Sequence, residues 1–436
     1  MLKSTGIIIT ALVFFSLSPP AYAQEKKYET ASLPNGISVL TQSSGGDMAA
    51  ACIFIKVGSF DETRDNNGVT TLLNRVLLSC YPGKTAPPPL LVEQLGGKVI
   101  SVTSGGFTCF IISAPQKALG SALKITADSM AAPEFSDAAI AVERDSLAAE
   151  MGMRDDRAQE RAYRIFLRKS CDGLPCGLYP DGDPAVISKL TRRDLKAWHE
   201  KYYRPERVFV SICGSITPKA ASKMVEDSFR GWDRLKGGTP SDFPKPAPAV
   251  ITGSTFEEQS SDEGAAAVIG YSALPAGSPD YAAMRRVKAV LAEGMGSSIF
   301  RSLREKGELA YSFGSLMPES DYASRMFFYL TTDEDRLAAA VDSVVKSVES
   351  LKAGKLTADE LQRAKGKAMG EILMDRETAA ARAYSAGLYE LMGAGADYGE
   401  RLAAQMEKLG KEEVVSAANR YMDKSTIVLL KPPQGK

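Results

Sequence analysis

The sequence predicts an α+β fold built as two tandem homologous domains, each an antiparallel-rich sheet packed with long helices. Three observations predict it. The chain has 436 residues, enough for two or more domains. A Pro/Gly-rich tract, Gly237-Gly238-Thr-Pro through Pro244, Pro246 and Pro248, divides it near the middle. The two parts also end alike. Leu190-Thr-Arg-Arg-Asp194, Tyr202 and Val208 recur as Leu409-Gly-Lys-Glu-Glu413, Tyr421 and Ile427, at one ungapped offset of 219 (409 − 190, 421 − 202, 427 − 208).

The elements follow from hydrophobic periodicity. In the first part, Ile37–Thr41 and Ala49–Val57 read as strands and Gly68–Leu78 as a helix. Lys98–Ser104 and Gly106–Ser113 read as a strand pair. Lys117–Met130 is helical, Ser136–Lys169 reads as one long helix, and Val208–Cys213 is a strand. The second part repeats this order. Ala266–Ser272 is a strand, Tyr281–Glu305 is helical, Met326–Thr332 is a strand, long helices follow, and Thr426–Leu430 closes the chain as a strand. The domains are therefore expected at 24–237 and 249–436, with a linker at 238–248.

The first 23 residues read as a targeting segment. Lys3 precedes the apolar run Ile7–Leu17, and Ala21-Tyr22-Ala23 is a small-residue cleavage site. The run is short for a membrane span. The expectation is a chain exported to a bacterial periplasm or beyond the cell, cut near Ala23, with no membrane partner. Export favours disulfides. Cys171 and Cys176 flank Asp-Gly-Leu-Pro, a turn able to bring them together, whereas Cys52, Cys109 and Cys213 lie in strand-like runs as small buried hydrophobes.

Charge and histidine content narrow the function. Lys+Arg and Asp+Glu both number 53, so no basic field invites nucleic acid. There is one histidine. A zinc enzyme ordinarily needs two or three imidazoles or a set of thiolates, and a serine or cysteine triad needs a placed His. His199 lies in the helical stretch Leu195–Tyr203, where it is expected on the surface or beside Trp198 with no catalytic part.

A set of short motifs in fixed order carries a family resemblance over roughly residues 28–431. They are Leu33-Pro-Asn-Gly-Ile-Ser-Val39, Val57-Gly-Ser-Phe-Asp-Glu62, Asn67-Gly68, Leu190-Thr-Arg-Arg-Asp-Leu195 and Tyr203-Arg-Pro205. In the second part come Leu291-Ala-Glu-Gly-Met-Gly-Ser-Ser-Ile-Phe300, Leu303-Arg-Glu-Lys306 and Leu309-Ala-Tyr311. In these the chain resembles the pitrilysin or insulinase-type metallopeptidases, whose zinc motif is H-x-x-E-H. The resemblance implies that the two domains form half of a clam-shell. It also implies that the run Gly68-Val-Thr-Thr71-Leu-Leu-Asn74-Arg75 stands where that motif would be. Positions i and i+4 share a helical face, so two His there grip one zinc, and the acid at i+3 serves as general base. Here those positions are Thr71, Arg75 and Asn74. A permanent cation repels zinc and an amide accepts no proton.

The resemblance places a third ligand, a Glu, about 75 residues on, where Glu150 stands. Glu143 lies two turns earlier on the same face. Two readings compete: a former metal ligand, or an ion pair with Arg75 that replaces the metal. The resemblance further assigns Arg304 and Tyr311 to a pair that faces the metal site, binds substrate backbone and stabilises the tetrahedral intermediate. It thus implies a non-catalytic subunit that holds no metal or cofactor of its own. Such a subunit would supply Arg304 and Tyr311 to an H-x-x-E-H partner that carries the zinc, and would bind an extended peptide at a sheet edge. The rival reading is a scaffold or peptide-binding protein of the same shape with no part in catalysis.

Overall fold

The computed structural model describes residues 27–83, 86–171, 173–233, 253–260, 264–305, 308–320 and 324–433. The expected leader and the linker at 238–248 lie outside the described residues. Two sheets organise the chain. The first contains β1 (Tyr28–Ser32), β2 (Ser38–Ser43), β3 (Met48–Ile55), β4 (Lys98–Thr103), β5 (Thr108–Pro115) and β6 (Val208–Gly214), in the order β1-β2-β6-β3-β5-β4. The second contains β7 (Thr255–Gln259), β8 (Ala265–Ala273), β9 (Ser312–Leu316), β10 (Ser324–Thr332) and β11 (Ser425–Lys431), in the order β7-β11-β8-β10-β9. β2 pairs with β6 in parallel, as β7 does with β11, and the other pairs are antiparallel. Aligning β2-β6-β3-β5-β4 with β7-β11-β8-β10-β9 matches every neighbour and direction, so the sequence repeat is a repeat of topology.

Seven helices position the site: α1 (Val69–Ser79), α2 (Asp137–Asp155), α3 (Ala158–Ser170), α4 (Arg192–Tyr202), α5 (Tyr281–Ala292), α6 (Ala358–Met374) and α7 (Ala379–Leu391). α1, α2 and α4 bury Leu72, Leu73, Val76, Leu147, Leu195 and Trp198 against one face of the first sheet. α5 and α6 bury Met284, Val287, Ala364 and Ala368 likewise on the second sheet.

The opposite face of each sheet takes a helix from the other half. α3 leaves the first half and lays Ala162, Ile165 and Phe166 on Ala266, Val268, Phe327 and Val428 of the second sheet. α7 lays Ala383, Ala386 and Leu388 on Leu40, Cys52 and Phe54 of the first. This exchange explains why β3 and β8 are apolar at nearly every position and do not alternate, since both faces are covered.

Several expectations need correction. Residues 136–169 form two helices, α2 and α3, with a break at Asp156–Arg157, where Arg157 is extended (φ −88°, ψ 117°). The break lets the chain leave one half and cross to the other. The helix expected over 281–305 ends at Ala292, because Gly294 adopts a left-handed conformation (φ 79°), and is followed by a π-turn over Arg301–Glu305. The strands β1, β7 and β9 were not expected. Each is a short edge strand without a buried run. The cysteines follow expectation: Cys171 and Cys176 are joined as a disulfide, while Cys52, Cys109 and Cys213 are buried thiols.

Candidate functional site

The site is built on α1. Gly68 caps it with φ 102°, and a β-carbon there would lie 2.6 Å from Ile187 and 3.1 Å from Gly182. Only glycine fits both the conformation and the space. The Glu62 carboxylate accepts from the Gly68 and Thr70 amides at 2.8 and 2.9 Å, satisfying donors at the helix start.

Asn74 and Arg75 lie one turn after Thr71 on α1, and each of the three has partners of its own. Thr71 Oγ1 donates to the Pro180 carbonyl at 3.2 Å. Asn74 is 1% exposed. Its Nδ2 donates to Thr103 Oγ1 on β4 and Thr108 Oγ1 on β5 at 3.1 and 3.2 Å, and its Oδ1 accepts from the Tyr203 hydroxyl. That amide is satisfied on both ends, as a buried amide must be. Arg75 Nε donates to Glu143 at 3.0 Å and Nη1 to Glu150 at 2.7 Å. Ser79 holds the other Glu143 oxygen at 2.5 Å, and Arg154 links Glu150 (3.2 Å) to Asp181 (2.6 Å). The result is an alternating row, Glu143–Arg75–Glu150–Arg154–Asp181. The hydrogen bond from Arg75 holds the Glu150 carboxyl below its ordinary pKa.

Of the two readings of Glu150, the geometry carries the ion pair. A hydroxyl, an amide and a guanidinium do not fit zinc, and the carboxylates that remain are occupied by arginines. Among the described residues no group of three or more His, Cys, Asp or Glu is arranged to hold a metal ion.

The second pair lies elsewhere. Arg304 sits on the π-turn after α5, and Tyr311 directly precedes β9. Arg304 Nη2 donates to the Tyr311 carbonyl at 2.6 Å. The Tyr311 amide donates to Thr331 O at 2.9 Å, pinning the residue to β10, and its hydroxyl donates to Asp333 Oδ2 at 2.5 Å. Both side chains reach solvent, Tyr311 being 58% exposed. Acceptance by Asp333 raises the phenol pKa, so Tyr311 remains a protonated donor. The structure therefore brings Arg304 and Tyr311 together and separately brings together Arg75, Glu143 and Glu150. No hydrogen bond or ion pair joins the two groups among the described residues.

His199 departs from its expected place. It is buried, its ring stacks on Tyr203 (5.2 Å) and meets the edge of Phe135 (5.8 Å), and Nε2 pairs with the Met130 carbonyl at 2.7 Å. It is a core residue. Arg154, Asp181 and Asp333 were not anticipated as part of either group. Arg154 was legible as the i+4 partner of Glu150, whereas Asp181 and Asp333 come from loops with no signal of their own.

Comparisons with known proteins agree with this architecture. A model of the insulinase (peptidase family M16) matches residues 38–171, and one of the peptidase M16 inactive domain matches residues 189–367. An uncharacterized zinc protease of Mycobacterium tuberculosis is 24% identical over 430 residues, 96% of each chain. The mitochondrial-processing peptidase subunit beta of Saccharomyces cerevisiae is 22% identical over 415 residues, 92% of this chain and 90% of its own. Subunit 1 of the mitochondrial cytochrome b-c1 complex of Caenorhabditis elegans is 28% identical over 240 residues, 54% of this chain and 49% of its own. Among solved structures, a protease from Helicobacter pylori superposes with a TM-score of 0.86 at 22% identity, covering 93% of this chain and 100% of that one. A peptidase M16 inactive domain from Pseudomonas fluorescens superposes at 0.83 with 21% identity, covering 94% and 100%. With both family models matched in order and the fold shared along the chain, the protein belongs to the insulinase-type M16 peptidase family.

Proposed function

We propose that the chain is the non-catalytic, exported subunit of a heterodimeric zinc peptidase. It binds the peptide substrate and supplies Arg304 and Tyr311 to the active site of an H-x-x-E-H partner. The observation that carries this reading is a contrast. The α1 site is closed on itself by the row from Glu143 to Asp181, while Arg304 and Tyr311 stay at the surface as a cation and a protonated phenol. Two such donors suit a developing oxyanion or a substrate carbonyl. Zinc and the general base belong to the partner. Export is supported by the leader-like first 23 residues and by the Cys171–Cys176 disulfide. The test is reconstitution with an H-x-x-E-H chain and a peptide-cleavage assay, with Arg304→Ala as the diagnostic variant.

One observation favours a second reading, a peptide-binding scaffold without a catalytic part. Tyr311 and Arg304 already bond to their own chain, at Asp333 and at the Tyr311 carbonyl. That reading predicts partner activity indifferent to Arg304→Ala.

A further inference from the structure

Asp333 stands at the start of the helix Glu334–Lys352 with an extended backbone (φ −78°, ψ 157°). In that conformation an aspartate ordinarily accepts from an amide of the first helical turn. Thr357, at the start of α6, has nearly the same backbone (φ −80°, ψ 159°) and does cap, accepting from the Glu360 amide at 3.2 Å. Asp333 makes no such bond. Its Oδ2 accepts from the Tyr311 hydroxyl instead, at 2.5 Å. Arg336 Nε stands 3.9 Å from the same oxygen, and Arg336 Nη1 donates to the Glu308 carbonyl at 3.1 Å. The Tyr311 backbone is fixed to β10 through its amide, whereas its ring is exposed. The ring can therefore swing about its side-chain torsions while the backbone stays in place.

A phenol has one hydrogen to donate. While that hydrogen lies on Asp333, Tyr311 cannot give it to a substrate carbonyl or an oxyanion. Arg304 meets no such conflict, because a guanidinium keeps further N–H groups free while Nη2 holds the Tyr311 carbonyl. We infer that Asp333 is the resting partner of Tyr311, and that Tyr311 swings to the substrate as the Asp333 carboxylate turns to cap its own helix. The amides at a helix start have no intrahelical acceptor, so a released Asp333 has a place to go. Glu334 and Asp335 follow it in the same turn. Asp335 reinforces Asp333 in raising the phenol pKa and Arg336 opposes both, so Tyr311 keeps its proton for either partner. The inference rests on the proposal that Tyr311 acts in the partner's active site. It adds the residue that restrains Tyr311 and the contact that residue takes up on release.

The experiment has two arms. The first uses the full chain alone, with tyrosine carrying a ¹³C label at Cζ, and the Tyr311 resonance is assigned by its loss in Tyr311→Phe. Its titration midpoint should lie above the ordinary 10.0 in the parent and move back toward it in Asp333→Ser. Serine keeps a capping oxygen and removes the carboxylate. The second arm measures kcat for peptide cleavage by an H-x-x-E-H subunit mixed with the chain, in a double-mutant cycle. Asp333→Ser should raise kcat about threefold, because a larger share of Tyr311 is then free to act. In the Tyr311→Phe background the same substitution should leave kcat within about 1.5-fold. Thermal melts check that each variant folds. A midpoint that Asp333→Ser does not move, or an equal effect on kcat in both backgrounds, would overturn the inference. A kcat that Tyr311→Phe lowers and Asp333→Ser does not raise would overturn this inference alone. Indifference of kcat to Tyr311→Phe would overturn the underlying proposal and this inference with it.

Discussion

Phe166 on α3 lies across Gly270 on β8 so closely that a β-carbon on Gly270 would sit 2.1 Å from the ring. The two residues belong to different halves. The reciprocal crossing shows the same fit with the sizes exchanged: Gly387 on α7 faces Phe54 on β3, where a β-carbon would lie 2.5 Å from the ring. One ring against one bare backbone is thus the contact on which each half's crossing helix seats. A chain so interlocked folds as one unit, because each sheet depends on the other half for its second cover.

Gly270→Val is therefore expected to destabilise the whole chain, by about 3 kcal/mol or more, because both the ring and the strand are fixed in packed surroundings. Urea unfolding followed by far-UV circular dichroism measures it. Phe166→Ala should cost about 3–5 kcal/mol through the cavity it leaves. A single transition that shifts is the expected result, and loss of one half with the other intact would contradict the interlock.

Arg75 makes a pH-dependent contribution. It holds the folded-state pKa of Glu150 below the ordinary 4.5. The resulting stability is present above the unfolded pKa and is lost as pH falls through the folded one. Glu150 is 39% exposed at its side chain, and solvent screening limits the effect to about 0.5–1 kcal/mol. Arg75→Met should lower the urea midpoint at pH 7 and differ less from the parent at pH 3. A difference of equal size at both pH values would show that Arg75 acts through packing alone.

His199, the sole histidine, provides a second titration with one readable proton. Burial lowers its pKa below 6.5, and this outweighs the raising effect of the Met130 carbonyl. The unfolded chain then binds more protons, so stability from this site is full above pH 6.5 and falls as pH drops toward the folded pKa. The imidazole resonance in proton NMR should titrate with a midpoint below 6.5, and His199→Gln should flatten this part of the stability profile. A midpoint at or above 6.5 would place the ring in water.

How much of this was legible in the sequence depended on how local its cause was. β3, β5, β6 and β8 were visible because burial made them apolar runs, and the disulfide because Asp-Gly-Leu-Pro is a turn. The edge strands β1, β7 and β9 were not, since half-exposed short strands leave no periodic signal. The break at Asp156–Arg157 carries no Gly or Pro, because its cause is the distant sheet that receives Phe166. The pairing of Arg75 with Glu150 was readable from their places in the family motif. The cage around Asn74 was not, because Thr103, Thr108 and Tyr203 reach it from three separate elements.

If this chain lends Arg304 and Tyr311 to a zinc-bearing partner, the loss of either must slow the partner's turnover. The deciding quantity is kcat for peptide cleavage by an H-x-x-E-H subunit mixed with the parent chain, with Arg304→Ala or with Tyr311→Phe. The parent chain should be required for full activity. Each variant should still assemble with the partner yet lower kcat by about 10²–10³-fold, the loss seen when an oxyanion donor is removed. Full activity of the partner alone, or unchanged kcat with both variants, would contradict it.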